Sequence, residues 1–387
     1  MYPTILRHPG PTPIPQKVQL AMAQDMISHR TEEFVQLFKE TTNRVKPIFG
    51  TKQDILLLTS GGTAALEAAV VNTVSPGEEV VVITVGAFGN YFVSICEKNG
   101  FIVHKLEKNW GEACSEEDLI EFLKPLTNIK AVFVTYNETS TGILNPVDQL
   151  AKVVHNLTDA LFIVDGVSCI GGAPAEMDQW GIDILVTGSQ KAMMLPPGLA
   201  FLGVSDRAWK VIEANHTPAY YLNLLSYRDW ADKGMTPNTP AISLIMGLSA
   251  VCDLIDEEGG FSKTVERHEV MKNMVREAMK ALSIGLLTSD EYASPTITAI
   301  RTPEGLDLAK FLGHLKENYY LDFAGGLGHL EGKIFRFGHM GYCFPSDILE
   351  AVSLIEAGLQ DFSYPFEPGV GVTAAQKVFL SASKKLS

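Results

Sequence analysis

The sequence predicts an α/β fold: a mostly parallel sheet with helices on both faces, followed by a smaller C-terminal α+β domain. Three observations predict it. Short apolar runs at 55–58, 79–85, 131–135, 161–164 and 184–187 show no polar alternation, as strands buried on both faces require. Helical text lies between most of them, the order expected of a parallel sheet. Of 387 residues, 46% are hydrophobic and 20% charged, ample material for more than one core.

Taken in order, residues 1–15 carry five prolines (Pro3, Pro9, Pro11, Pro13, Pro15) and read as an extended arm, because proline fixes its own dihedral and bars helix before it. Residues 16–38 read as helical. Strand 55–58 leads through Gly61-Gly62-Thr63 into helix 64–74, which Ser75-Pro76-Gly77 stops. Strand 79–85 and helix 90–98 follow, then strand 131–135 and helix 147–156. Strand 161–164 ends at Asp165, and strand 184–187 ends at Gly188. The apolar helix 242–255 stops at Asp256-Glu257-Glu258-Gly259-Gly260, which places a boundary between a large domain, 16–258, and a small one, 259–387. Helix 263–282 and short strands at 296–300 and 334–338 give the small domain its α+β character. No internal repeat or low-complexity tract interrupts the chain.

Composition excludes several function classes. The net charge of −14 argues against nucleic acid and anionic membrane as partners. No apolar run approaches the roughly 20 residues of a membrane span, and the N-terminus lacks a basic-then-apolar signal pattern. Five scattered cysteines, none in a C-x-x-C pair, suit neither a metal centre nor a disulfide frame. The expectation is a cytoplasmic protein with no metal site.

Chemistry is sought at strand ends, since ligands in open parallel sheets bind beyond the carboxyl ends of strands. Gly61-Gly62-Thr63 opens a helix and suits either an anion held by backbone N–H groups or an ordinary capped turn. Asp165 ends a very apolar strand, as a partnered carboxylate or as a helix cap. Lys191, in Ser189-Gln190-Lys191 before Met193-Met194-Leu195-Pro196-Pro197-Gly198, is either a snorkelling cation or a buried amine able to act as a Schiff-base nucleophile.

An aspartate ending one buried strand, with Ser-Gln-Lys ending the next 26 positions later, resembles the pyridoxal-phosphate enzymes of fold type I. More closely, the chain is similar to the class V aminotransferases of the alanine/serine–glyoxylate (serine–pyruvate) group. The likeness runs from Pro9-Gly10-Pro11-Thr12 to Arg336-Phe337-Gly338. It implies pyridoxal 5′-phosphate as cofactor, with Lys191 as its covalent anchor and proton shuttle and Asp165 on the ring nitrogen. Gly61, Gly62 and Thr63, with Gln190, would hold the phosphate. Phe88 would stack on the ring with Val167 on the opposite face, and Ser140 would lie near the 3′-oxygen. Arg336 would bind the substrate carboxylate, and Gly10 and the loop Gly325-Gly326-Leu327-Gly328 would face the substrate. Thr239 would reach the phosphate of a neighbouring subunit, which implies a homodimer with its active site at the interface. The resemblance departs at Phe88, which is tryptophan in several relatives, at Thr236, which is tyrosine in some, and at Cys169, which can be serine.

The function implied is transfer of an amino group from a small amino acid, alanine or serine, to a small 2-oxo acid, glyoxylate or pyruvate. Alternatives on the same scaffold are a 2-aminoethylphosphonate–pyruvate transaminase and a cysteine desulfurase or lyase. The last is weakened because Phe88 is not histidine and Cys343 follows Arg336. A non-enzymatic subunit, of the kind labelled a soluble hydrogenase small subunit, is the alternative from another class.

Overall fold

The computed structural model describes residues 4–215 and 217–386. Residues 1–3 of the expected arm, His216 and Ser387 lie outside the described residues. A seven-stranded sheet runs in the spatial order Ile55–Leu58, Ala200–Val204, Ile184–Gly188, Leu161–Asp165, Ala131–Thr135, Glu79–Thr84, Ile102–Glu107. Every neighbouring pair is parallel except those made by Ala200–Val204, which runs against both its neighbours.

Successive residues of one strand feed opposite cores. Phe162 and Val164 join Val132, Val134 and Leu185 on one face, under helices Glu32–Phe49, Val147–Leu157 and Ile242–Glu258. Leu161 and Ile163 join Ala131, Phe133 and Val186 on the other, under Gly62–Thr73, Ala87–Lys98 and Asp206–Asn215. Both faces are thus covered, which is why these strands carry no polar alternation. Each large side chain so buried contributes about 1.5–3 kcal/mol.

A third cluster runs from Met271 to Ala375 and packs helices Phe261–Ala281, Leu308–Tyr319 and Pro345–Asp361 over an antiparallel sheet of Ile297–Arg301, Ile334–Gly338 and Ala324–Gly325. The arm lies along this part of the chain: Ile5–Leu6 pairs in parallel with Leu321–Asp322, and the Gly338 N–H donates to the Arg7 carbonyl at 2.7 Å.

Two expectations are corrected. Residues 16–38 form not one helical stretch but two helices, Gln16–Met22 and Glu32–Phe49, because Thr31 caps the second, with Glu32 and Glu33 in its first turn. That helix runs on past Phe38 to Phe49 and ends at Gly50, in the left-handed region at φ 60°. Strand Ala200–Val204 was not anticipated. The excursion from Gly188 is short and closes on itself, Ser189 N donating to the Leu199 carbonyl at 2.9 Å, and a short connection can only return antiparallel.

Candidate active site

That closed excursion is what presents Lys191. Ser189 Oγ donates to the Pro196 carbonyl at 2.7 Å and accepts from Leu199 N at 3.1 Å, pinning the loop at its base. Thr12 of the arm holds its tip, with N on the Gln190 carbonyl at 3.3 Å and Oγ1 on the Lys191 carbonyl at 3.0 Å. Lys191 Nζ donates to the Pro9 carbonyl. The lysine is therefore a half-buried, inward-turned amine and not a snorkelling one: burial, reinforced by the charge of Arg336, lowers its pKa to about 8, against the pull of Asp165. Gly10, at φ 96°, has no room for a side chain, since a Cβ there would lie 2.5 Å from Lys191 Cδ and 2.9 Å from Nζ.

Asp165 ends its strand beside Thr135 and Val186 and is 4% exposed. Burial pushes its carboxyl up to about 7, opposed by the Val167 N–H 2.8 Å from Oδ1. A cation placed against this carboxylate would restore its charge. Asp165 and Lys191 sit close enough for each charge to shift the other.

The glycine turn meets the same loop. Helix Gly62–Thr73 starts after Gly61 with no side-chain cap. A Cβ on Gly61 would meet nothing within 4 Å, whereas one on Gly62 would strike Val167 Cγ2 at 2.7 Å. A Cβ on Gly188 would lie 3.1 Å from Gln190 Oε1 and 3.5 Å from Gly62 N, so the Gln190 amide stands beside the helix start. Ser60 Oγ and Gln190 Oε1 are buried there without hydrogen-bond partners. Uncapped N–H groups at a helix start, with the unpaired Ser60 hydroxyl as a further donor, suit an anion, toward which Gln190 would turn its amide NH₂.

Phe88 and Ser140 are brought together by a residue the sequence analysis did not single out. Glu138, fully buried, accepts from Phe88 N, Gly89 N and both N and Oγ of Ser140. Its signal was a carboxylate three residues past the buried strand Ala131–Thr135. Arg336 lies in Ile334–Gly338 and is 7% exposed. It donates from Nε to the Gly325 carbonyl at 2.8 Å and from Nη1 to the Thr139 carbonyl at 3.4 Å. Burial lowers its pKa, offset by the charge of Glu138. Thr63 stands in the first turn of the glycine-led helix. Thr239 is exposed. Its segment is tied to Thr59, whose Oγ1 accepts from Ala241 N at 3.0 Å. Among the described residues no group of three or more His, Cys, Asp or Glu is placed to hold a metal ion, and no helix is long and apolar enough to cross a membrane.

The model of the family described as aminotransferase class-V matches residues 6–318. The chain belongs to the class-V aminotransferases. It is 35% identical to a serine–glyoxylate aminotransferase of Methylorubrum extorquens, over 95% of this chain and 94% of that one. It is 38% identical to a protein of a Synechococcus species named the small subunit of a soluble hydrogenase, over 98% and 99%. Its fold matches the crystal structure of pyridoxamine–pyruvate aminotransferase from Mesorhizobium loti with a TM-score of 0.92, at 27% identity over 98% of both chains. This class-V aminotransferase is a pyridoxal-phosphate enzyme. Its residues fit that cofactor: an inward-turned amine of lowered pKa, a buried carboxylate that a cation would recharge, and an uncapped helix start suited to an anion lie around one loop.

Proposed function

We propose that this aminotransferase moves an amino group from a small amino acid, alanine or serine, to a small 2-oxo acid, glyoxylate or pyruvate. The observation that carries the reading is the pairing of Lys191, with its lowered pKa, and the buried Asp165, with its raised one, beside the uncapped helix start at Gly61. Pyridoxal phosphate supplies, when bound, the electron-withdrawing ring that makes the donor's α-proton acidic. Lys191 Nζ would anchor the cofactor and would take the donor's α-proton. Asp165, ionised by a positive neighbour, holds the proton of the ring nitrogen. Gly61, Gly62, Thr63 and Gln190 would bind the phosphate; Phe88 and Val167 would cover the ring, and Ser140 would take the 3′-oxygen. Arg336 binds the donor carboxylate as a bidentate fork, and Gly10 keeps the space above Lys191 open.

The exposed Thr239 suits a residue that serves the phosphate of a second copy, which supports a homodimer with shared sites, and the scattered, unpaired cysteines support a place in the reducing cytoplasm. Residues 16–258 would form the cofactor-binding domain and 259–387 the small one, a division supported by the separate cluster between Met271 and Ala375. The desulfurase alternative finds no support, since Cys343 is 1% exposed, lies against Arg7 and has its thiol held up to about 11 by burial.

The test is a half-reaction screen of alanine, serine, aspartate and aminoethylphosphonate against the yellow holoenzyme. Loss of the cofactor's visible band with alanine or serine is expected. A chain that takes up no pyridoxal phosphate, or responds to aminoethylphosphonate alone, would overturn the reading. Arg336→Ala is expected to raise the donor KM about 10- to 100-fold, the loss of a charge-assisted pair, with the cofactor still bound. An unchanged KM would show that the carboxylate is held elsewhere.

The rate at which apoenzyme takes up the cofactor should follow the free amine of Lys191. A lysine pKa lowered to about 8 leaves Nζ protonated below that pH and nucleophilic above it. Uptake is therefore expected to accelerate as pH rises through about 8 and to level off well below 10.5, the ordinary lysine value. Stopped-flow absorbance across this range checks it, and a midpoint near 10.5 would contradict it.

A further inference from the structure

We propose that Glu138 is a positioning residue that sets the orientation of Phe88 through an ionised carboxylate clamped on the start of helix Ala87–Lys98. The inference deepens the aminotransferase reading and rests on its placing of Phe88 on the cofactor ring.

The geometry of the carboxylate carries it. Glu138 is 0% exposed, and among the described residues it forms no ion pair with a lysine or arginine. Its charge is met by dipoles. Phe88 N lies 3.2 Å from Oε1 and 3.1 Å from Oε2, and Gly89 N lies 3.0 Å from Oε2. Ser140 gives Oε1 its N–H at 3.0 Å and its hydroxyl at 2.6 Å. Burial raises the Glu138 pKa, and the N–H groups of Phe88, Gly89 and Ser140 oppose that rise, since each can only donate and so favours the ionised carboxylate. The helix N-terminus favours that negative charge.

The helix has no other side-chain cap at its Gly86 start, so Glu138 and Ser140, whose Oγ accepts from Ala87 N at 2.9 Å, take over its first N–H groups. Contact is close enough that a Cβ on Gly86 would lie 2.4 Å from both Glu138 Cγ and Ser140 Oγ. The next residue, Thr139, offers its carbonyl to Arg336 Nη1. Three successive residues therefore join the proposed stacking aromatic, the 3′-oxygen residue and the carboxylate-binding arginine. A buried, fully satisfied network of this kind fixes a site's geometry as well as its stability.

Glu138→Gln tests this in the full chain, because its amide NH₂ must oppose a backbone N–H and so turns the first helical turn. In the purified enzyme, pyridoxal phosphate is expected to bind about 10- to 100-fold more weakly, with an altered visible circular-dichroism band of the bound cofactor. In a Phe88→Leu background, the further loss from Glu138→Gln should shrink to about threefold or less, since the two act through one contact. An affinity within about twofold of wild type with an unchanged band, or full additivity in the double variant, would overturn the inference. Should Glu138→Gln fail to fold, Glu138→Asp, which keeps the charge but shortens its reach to the helix start, carries the same cycle, and additivity there overturns it equally. A wild-type chain that binds no pyridoxal phosphate would overturn both this and the reading beneath it. Normal wild-type binding beside a silent Glu138→Gln overturns this inference alone.

Discussion

Lys191→Ala is expected to stop turnover while the protein still folds and still binds pyridoxal phosphate without a covalent bond. Proton transfer by a positioned side chain is worth about 10²–10⁴-fold in rate, and loss of the anchoring amine removes more. The variant should retain its fold because the loop is held by Ser189, Thr12 and the main chain, not by the lysine side chain. The measurement is single-turnover absorbance with alanine, together with reduction by borohydride, which should leave wild type with a fixed cofactor and the variant without one. Turnover within about tenfold of wild type would place the proton shuttle elsewhere.

Asp165→Asn is expected to lower kcat for the first half-reaction by about 10²–10³-fold, the cost of removing one preorganised electrostatic partner from a buried site. The unloaded protein should become no less stable, and the sign follows from the raised pKa. A carboxyl moved from 3.8 to about 7 binds a proton more readily folded than unfolded. Its ionisation therefore opposes folding as pH rises above 3.8, and the neutral amide escapes that penalty. Thermal unfolding of apoenzyme above neutral pH should thus show Asp165→Asn equal to or above wild type, while kcat falls. A drop in stability with kcat preserved would assign Asp165 a structural role.

Much of this site was legible because each piece is written locally. The strand Leu161–Asp165 announces burial on both faces, so a carboxylate at its end had to be either partnered or functional. The glycine turn after Ile55–Leu58 announced close backbone approach, and the structure leaves it uncapped beside unpaired polar atoms. Lys191 stayed ambiguous, since apolar neighbours suit a snorkelling side chain as well as a buried amine. Glu138 passed unnoticed because its partners at 88 and 89 lie some fifty positions away, across two strands of the sheet. The break at Ala23–Thr31 was missed because apolar periodicity on either side reads through a short gap.

The sequence by itself determined the layered architecture, because strand burial and turn chemistry depend on neighbours within a few residues, while its resemblance to a known family pointed to Lys191 and Asp165, which those local patterns alone left open. Tertiary structure alone decided that the Pro9 carbonyl would receive Lys191 Nζ across 182 positions, that Arg336 would meet the Thr139 carbonyl, and that both titratable groups would be dry enough to shift toward neutrality. The physical reason is that hydrogen bonds between distant segments, and the loss of water that moves a pKa, exist only once the whole chain has closed around them.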